Sequence, residues 1–144
     1  MNMKVIIVFL LIVNIPQLTC GQGNKENRYL VFDSTDLKII QRAISLFPDE
    51  TKWSQKDDRE CEDDMAKGKF SLFCALFKAS IDVTGEYIHR RPAMQIVRFT
   101  IEKHGIDRVE HHRMMDWNNH PATTFNEVKN VLKESMEEIK KQLQ

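Results

Sequence analysis

The chain has 144 residues, which suffices for one domain with its own core, and its 21 basic and 21 acidic side chains give a formal net charge of zero. Because neutralising phosphates requires a basic excess, this balance excludes a typical nucleic-acid-binding protein. With 42% apolar residues, 29% charged residues and three cysteines, the composition also excludes a disordered tail and a dense disulfide scaffold.

The first 21 residues have the order of a secretory signal peptide. One positive charge at Lys4 precedes nine consecutive apolar residues, 5–13, and such a run is too short to span a bilayer. Small or neutral residues follow this run, and we expect cleavage after Gly21. Residues 1–21 are therefore predicted to be a cleaved signal peptide.

A bacterial lipoprotein signal is the alternative interpretation of this leader. Cys20 would then carry lipid, but Gln17 stands where that motif has leucine. Cleavage at the favoured position leaves residues 22–144 as a single domain of net charge −1, since Lys4 is the one charged residue removed. No second apolar stretch approaches membrane length, so we expect a secreted, extracellular protein without a membrane span.

Two cysteines, Cys61 and Cys74, remain after the predicted cleavage. In an oxidising compartment two cysteines without a third competitor most simply pair with each other. The bridge would close a loop of roughly a dozen residues, which stabilises by about 3 kcal/mol on the chain-entropy model. Two free thiols or an intermolecular bridge are the alternatives.

Apolar spacing predicts a first helix that begins near Asp33 and is stopped by Pro48. Its buried face would comprise Leu37, Ile39, Ile40, Ala43, Ile44 and Phe47. Residues 49–68 are rich in charge and are predicted to form a loop with one short, solvated helix at about residues 59–67. The acidic cluster in this stretch lacks the alternating oxygen ligands and central glycine of a calcium loop.

The next two helices are predicted at residues 70–81 and from Pro92 to Gly105. Residues 70–81 are apolar on more than one face, which places this helix in the middle of the core. Residues 82–86 are predicted to form a turn. Proline suits the first turn of a helix, and glycine suits its end.

A shorter helix is predicted at residues 107–117, and Pro121 is predicted to open the last one. The last helix has a clear amphipathic stripe of apolar residues spaced three or four apart. These are Phe125, Val128, Leu132, Met136, Ile139 and Leu143. Because no segment shows sustained alternation of apolar and polar residues, we predict an all-α fold of five or six helices.

Histidine is the residue type that most suggests a site, since the chain has five. On a helix, His111 and His112 would lie near Asp116, but a zinc site needs three or four converging ligands and no HExxH motif is present. No nucleophile elbow, P-loop or dinucleotide fingerprint occurs either. Cys74, the possible nucleophile, lies in an apolar helix. We therefore predict no metal, no cofactor and no enzymatic activity.

Residues 69–105 resemble the middle of an insect odorant-binding protein. Cys74 stands at the place of that family's third cysteine, and Phe70 stands at the place of the second. Residues 82–86 resemble the turn between the family's third and fourth helices, and the helix that ends at Gly105 resembles the fourth. The family has three disulfide bridges from six cysteines, so this chain would be a divergent, cysteine-poor member.

The resemblance implies a chemosensory, non-catalytic carrier of a small hydrophobic ligand, such as an odorant, a pheromone or a lipid-like molecule, in an interhelical pocket. Its partners would be that ligand and a membrane receptor, with no nucleic acid. The residues predicted to line this pocket are those that are apolar and inward in helical phase; these are Phe73, Phe77, Ile96, Met114, Trp117, Phe125 and Leu132.

A filled core is the other use of these apolar residues, and helical periodicity by itself favours it. The chain would then be a secreted helical signalling or interaction protein, such as a seminal, venom or cytokine-like factor. A carrier predicts an internal void on the order of several hundred Å³. A signalling protein predicts a packed core and an exposed apolar patch.

Overall fold

The computed structural model describes residues 29–144. These residues contain six α-helices and two short 3-10 turns, joined by loops. The helices are α1 (Ser34–Ser45), α2 (Cys61–Lys67), α3 (Leu72–Thr84), α4 (Pro92–Gly105), α5 (Arg113–Asn119) and α6 (Phe125–Leu143). No β-strand occurs among these residues; an isolated bridge joins Trp53 to Phe70. The predicted all-α fold is confirmed. The predicted signal peptide, residues 1–21, lies outside the described residues.

The starts of α1 and α4 agree with the sequence prediction. The Asp33 side chain accepts hydrogen bonds from the backbone N–H groups of Thr35 and Asp36, at 2.7 and 3.0 Å. The Asp36 carboxylate accepts in return from the Asp33 N–H at 3.0 Å, which completes a capping box. Pro92 occupies the first turn of α4, where its missing N–H is not needed.

Two predicted boundaries, the turn at residues 82–86 and the helix start at Pro121, are wrong. α3 continues through residues 82–84 and ends at Gly85, whose φ of 84° is the left-handed conformation that favours glycine. α6 begins at Phe125, because Thr124 and Glu127 form a capping box. Gly85 therefore determines the end of α3, and not the charged residues of the predicted turn. The capping box determines the start of α6, and not Pro121.

The helix predicted at residues 107–117 is also wrong in extent. A 3-10 turn at Ile106–Arg108 and a loop precede α5. The Asp116 carboxylate accepts hydrogen bonds from the backbone N–H groups of Glu110 and His112, at 3.0 and 2.7 Å, and from that of the intervening histidine. These bonds hold the chain in a loop where a continuous helix was expected.

The core lies where α1 packs on α3 and α6, and where α4 packs on α1, α5 and α6. α3 is buried on more than one face, as predicted. The largest fully buried side chains come from five helices and include Ile39, Ile40, Leu72, Leu76, Met94, Ile101, Trp117, Leu132 and Ile139. Within residues 29–144, no helix combines the length and apolarity that crossing a membrane requires.

A disulfide bond joins Cys61 at the start of α2 to Cys74 on α3, with 5.0 Å between the two Cα atoms. The predicted pairing is confirmed. Cys74 is fully buried and Cys61 nearly so. Because α2 has only seven residues, the bridge supplies a fixed attachment to the core that so short a helix cannot provide by its own packing.

A buried asparagine connects α5 to two distant parts of the chain. The Oδ1 atom of Asn118 accepts from the Trp53 indole N–H at 2.9 Å and from the Leu72 backbone N–H at 3.1 Å. Its Nδ2 atom donates to the backbone oxygen of Ser54 at 3.0 Å. Asn118 is fully buried, so these bonds satisfy polar groups that water does not reach.

A buried ion pair connects the starts of α1 and α4. Asp36 is only 1% exposed, and its Oδ1 atom lies 3.0 Å from Nε of Arg91. The same oxygen accepts from the Ala93 backbone N–H at 3.1 Å. One carboxylate therefore caps two helices and neutralises one partly buried arginine.

Residues 54–69 leave and rejoin the helical framework at adjacent points. The backbone N–H of Ser54 donates to the oxygen of Phe70, and the N–H of Phe70 donates to the oxygen of Lys52, both at 2.8 Å. Within the segment, the Asn119 side chain accepts from the backbone N–H of Asp57 at 2.6 Å and donates to its oxygen at 2.8 Å. We call residues 54–69 the tethered segment.

Candidate binding cleft

The seven predicted pocket residues do not line one common cavity. Ile96 and Leu132 are buried in the core, and Phe125 packs against Trp53 with 6.2 Å between ring centroids. Trp117 is fully buried and borders a depression on the α4–α6 side. These four positions contribute to packing, and a central void among all seven is not formed by the described residues.

Of the other three residues, Phe73 and Phe77 are half-buried on α3, and Met114 is almost fully buried on α5. Phe73 and Met114 face a cleft of about 250 Å³, and Phe77 faces a neighbouring groove. We call the cleft the cationic cleft, because its lining consists of Arg59, Phe73, His89, Arg98, His111, His112, Arg113, Met114 and Met115. Three arginines and three histidines thus surround three apolar side chains, and none of the lining residues is acidic.

Arg98 on α4 is the most buried charge in the cationic cleft, with 9% of its surface exposed. Its Nη1 atom donates to the backbone oxygen of His89 at 2.9 Å. Burial lowers the pKa of Arg98, although arginine remains protonated at physiological pH. Among the ion pairs of the described residues, none involves Arg98.

The surroundings of Arg98 concentrate positive charge. Burial and then the positive charges of Arg98 and Arg59 lower the pKa of His89. The Tyr87 hydroxyl lies 3.1 Å from Nδ1 of the same histidine, and burial raises the pKa of that tyrosine. Because the positive charges of Arg59 and Arg98 disfavour a further positive charge on His89, an anion in the cleft would be bound favourably.

The remaining cationic side chains come from the segment around the start of α5. Asp116 holds the backbone of His111 and His112, as described above, so both exposed histidines are presented at the cleft. Although burial opposes it, the hydrogen bonds from this backbone lower the pKa of Asp116. Arg113 is paired with Glu102 at 2.6 Å, so Arg59 and Arg98 are the two cleft arginines without an ion pair among the described residues.

The three histidines of the cationic cleft are not grouped with further metal-ligating side chains among the described residues. Within the part of the chain that the structure describes, no cluster of three or more His, Cys, Asp or Glu side chains is placed to hold a metal ion. Asp116, which the sequence placed beside His111 and His112 as a potential ligand, is instead occupied by backbone N–H groups.

Arg59 enters the cleft from the tethered segment. Its backbone has a φ of 67°, and its guanidinium carbon lies 5.7 Å from the centroid of the Phe73 ring. The Asp57 side chain accepts from the Arg59 backbone N–H at 2.8 Å, and Asn119 fixes the backbone of Asp57. The position of this exposed arginine is thereby determined by a buried aspartate.

Substitution of Asp57 by asparagine is expected to raise the free energy of unfolding at pH 7 by about 1 kcal/mol. The Oδ2 atom of Asp57 is buried without a hydrogen-bond partner among the described residues, and burial raises the pKa of this carboxyl. The carboxyl of Asp57 thus has a higher pKa in the folded protein than in the unfolded chain. Its contribution to stability is fully present at a pH below the unfolded pKa and is lost as the pH rises through the folded pKa. The increase in the free energy of unfolding caused by Asp57→Asn should therefore be larger at pH 7 than at pH 4.

Urea unfolding at both pH values would test this expectation, with the exposed neighbour Asp58→Asn as the matched control. The control should change stability by less than about 0.5 kcal/mol at pH 7. An Asp57→Asn protein less stable than the wild type at pH 7 would show that the buried carboxylate is compensated.

The sequence analysis did not identify Arg59, Arg98, Arg113 or His89 as site residues. They come from four separate segments and form no motif of fixed spacing. Arg98 lies between Val97 and Thr100, two buried residues of α4, and this position next to apolar residues was the available signal in the sequence.

Comparison with known protein families gives a match over most of the chain. Residues 32–138 match the family DUF6197, described as a family of unknown function. No curated protein and no solved structure matches the chain significantly.

Proposed function

We propose that this chain, which belongs to the DUF6197 family, is a secreted, non-catalytic carrier that binds a small hydrophobic ligand with an anionic group in the cationic cleft. One observation carries the proposal: Arg98 is buried in a cleft between helices, and no acidic side chain of the described residues pairs with it. Desolvating a cation without a counter-ion is costly, so an anion bound there recovers part of that cost.

The walls of the cleft define the rest of the ligand. Phe73, Met114 and Met115 offer an apolar surface next to the guanidinium group of Arg98. A carboxylate can accept two parallel hydrogen bonds from a guanidinium, while methionine adapts to irregular apolar shapes. A compact amphipathic anion therefore satisfies both kinds of lining, whereas a purely apolar odorant leaves the arginine uncompensated.

The proposal of secretion rests on the N-terminal pattern and on the disulfide. The pattern of residues 1–21 is that of a signal peptide, and the bond between Cys61 and Cys74 is of the kind that persists in oxidising compartments. The resemblance of residues 69–105 to insect odorant-binding proteins also supports a carrier. This resemblance agrees less well with the position of the cationic cleft, because the cleft lies at the edge of the bundle and the resemblance implies a pocket between the helices.

The packed core supports the second candidate, a secreted helical signalling or interaction protein. Ile96, Trp117 and Leu132 are buried in the core, where a central ligand cavity would have exposed them to a void. Ile88 and Ile106 are exposed apolar side chains of the kind that such a protein uses in contacts. The cationic cleft distinguishes the two candidates, because a signalling protein has no requirement for a small anion.

Binding of hexanoate and its neutral analogue hexanamide would test the proposal. With methyl-labelled methionine, hexanoate is expected to shift the NMR signals of Met114 and Met115, while the buried core residue Met94 stays unchanged. We expect hexanoate to bind at least about tenfold more tightly than hexanamide, because the charged group adds a charge-assisted hydrogen bond.

The variant Arg98→Gln should remove this preference for the anion. Arg42→Gln is the matched control, because Arg42 lies on α1 and pairs with Asp82 outside the cleft. Equal affinities for hexanoate and hexanamide, or an unchanged preference in Arg98→Gln, would contradict the proposal.

A further inference from the structure

A groove lies directly beside the cationic cleft. Its volume is about 470 Å³, and we call it the apolar groove. Its lining consists of Arg59, Glu60, Cys61, Glu62, Met65, Phe77 and Ile81. Arg59 is common to both linings, so the two depressions adjoin at this side chain.

An aromatic cluster continues from one depression to the other. Phe73 of the cleft and Phe77 of the groove lie one turn apart on α3, with 6.3 Å between their ring centroids. The Tyr87 ring contacts both, at centroid distances of 5.8 and 5.0 Å. A ligand that leaves the cleft past Arg59 therefore remains on apolar surface instead of entering water.

The charges of the two depressions differ in sign. The cationic cleft contains arginines and histidines and no acid among its lining residues. Beyond Arg59, the charged residues on the groove are the exposed acids Glu60 and Glu62. An anionic group is attracted to the cleft and repelled from the far part of the groove, so a ligand that occupies both has one favoured orientation.

We infer that the ligand is an alkyl carboxylate longer than the cleft itself, with its carboxylate at Arg98 and its hydrocarbon tail in the apolar groove. The tail passes Arg59 and lies against Met65, Phe77 and Ile81. This inference rests on the proposed function, since the cleft must first bind the carboxylate. It adds a second subsite and the chemical class of the ligand.

Arg59 lies between the two subsites. Its side chain is exposed and is held over Phe73 by a cation–π contact rather than by an acid among the described residues. At an exposed site a cation–π contact contributes little stability. The alkyl chain can therefore displace the guanidinium from the ring and take its place on Phe73.

The chain-length dependence of binding tests the inference on the wild-type protein. Calorimetric titration would compare hexanoate, octanoate, decanoate and dodecanoate below their micelle concentrations. Each buried methylene is expected to raise the affinity about fourfold, so burial of about four of the six additional methylenes should make dodecanoate bind at least about 100-fold more tightly than hexanoate. One ligand should bind per chain.

Methionine methyl signals locate the tail without any substitution. Met114 and Met115 should shift with every member of the series, whereas Met65 should shift with dodecanoate and not with hexanoate. The variant Met65→Gln should weaken dodecanoate at least about fivefold and leave hexanoate within about twofold. Met136→Gln on α6 is the control, since Met136 is another half-buried methionine remote from both depressions.

The outcomes separate the inference from the proposed function. If hexanoate binds through Arg98 but affinity is flat along the series, the second subsite is wrong and the carrier proposal stands. If affinity rises with chain length but neither the Met65 signal nor Met65→Gln responds, the tail lies elsewhere and the inference is overturned. If hexanoate does not bind, the proposed function itself fails.

Discussion

Alanine in place of Asn118 is expected to lower the free energy of unfolding by about 3 kcal/mol, because three buried hydrogen bonds are lost at once. The indole N–H of Trp53, the backbone N–H of Leu72 and the backbone oxygen of Ser54 all lose their partner. A buried polar group without a partner bears its full desolvation cost. Urea unfolding followed by circular dichroism would measure the change.

The matched control for this prediction is Asn130→Ala on α6. Asn130 is exposed, so its removal should change stability by less than about 0.5 kcal/mol. Water entering the space left at Asn118 would reduce the loss. A loss below about 1 kcal/mol would mean that this residue does not hold α5, α3 and the tethered segment together.

The second large effect is expected at Asp36, whose replacement by alanine should destabilise the protein by about 3–5 kcal/mol. The change leaves the partly buried guanidinium of Arg91 without this acid and removes the acceptor of the Ala93 backbone N–H. It also breaks the capping box with Asp33. Because Arg91 keeps the carboxylate of Asp33 at 3.2 Å, this magnitude combines part of the cost of breaking a buried ion pair with the loss of the helix-capping hydrogen bonds.

A double-mutant cycle separates the ion pair from the capping function. Arg91→Ala and the combination with Asp36→Ala give the coupling energy of the two side chains, which should exceed about 1 kcal/mol. Asp107→Ala, at an exposed aspartate, controls for the loss of a carboxylate. Additive effects in the cycle would show that Asp36 stabilises the protein as a helix cap alone.

Much of the helical architecture is predictable from local patterns. The apolar faces of α1 and α6 have helical spacing over several turns, and their buried residues follow that spacing. Pro92 and Asp33 mark helix starts through properties of their own, a missing N–H and a capping carboxylate. The disulfide was predictable because the predicted mature chain has just two cysteines.

The errors in helix extent have a common cause. At residues 107–117 the helical spacing is satisfied, but the Asp116 carboxylate binds the preceding backbone and stabilises a loop. The competition between a side-chain acceptor and a helical hydrogen bond depends on tertiary position, which periodicity does not contain. At Pro121 the same applies, since the capping box of Thr124 and Glu127 determines the start of α6.

The candidate site was less predictable than the fold. Apolar residues such as Phe73 and Met114 could be selected by phase, and both do face the cleft. The cationic side chains could not, because Arg59 and Arg98 are 39 positions apart and arginine is usually solvent-exposed. Only the packing of α2, α3, α4 and α5 brings them together, and the burial of Arg98 appears only in three dimensions.

The tethered segment has a consequence for how this chain can diversify. Its two ends lie side by side at Ser54 and Phe70, and the disulfide fixes its middle through Cys61. Because the entropy cost of closing a loop depends only weakly on its length, insertions between these anchors need not disturb the helices outside the segment. The part of the protein that carries Arg59 can therefore change in length and sequence while the helices outside it keep their packing.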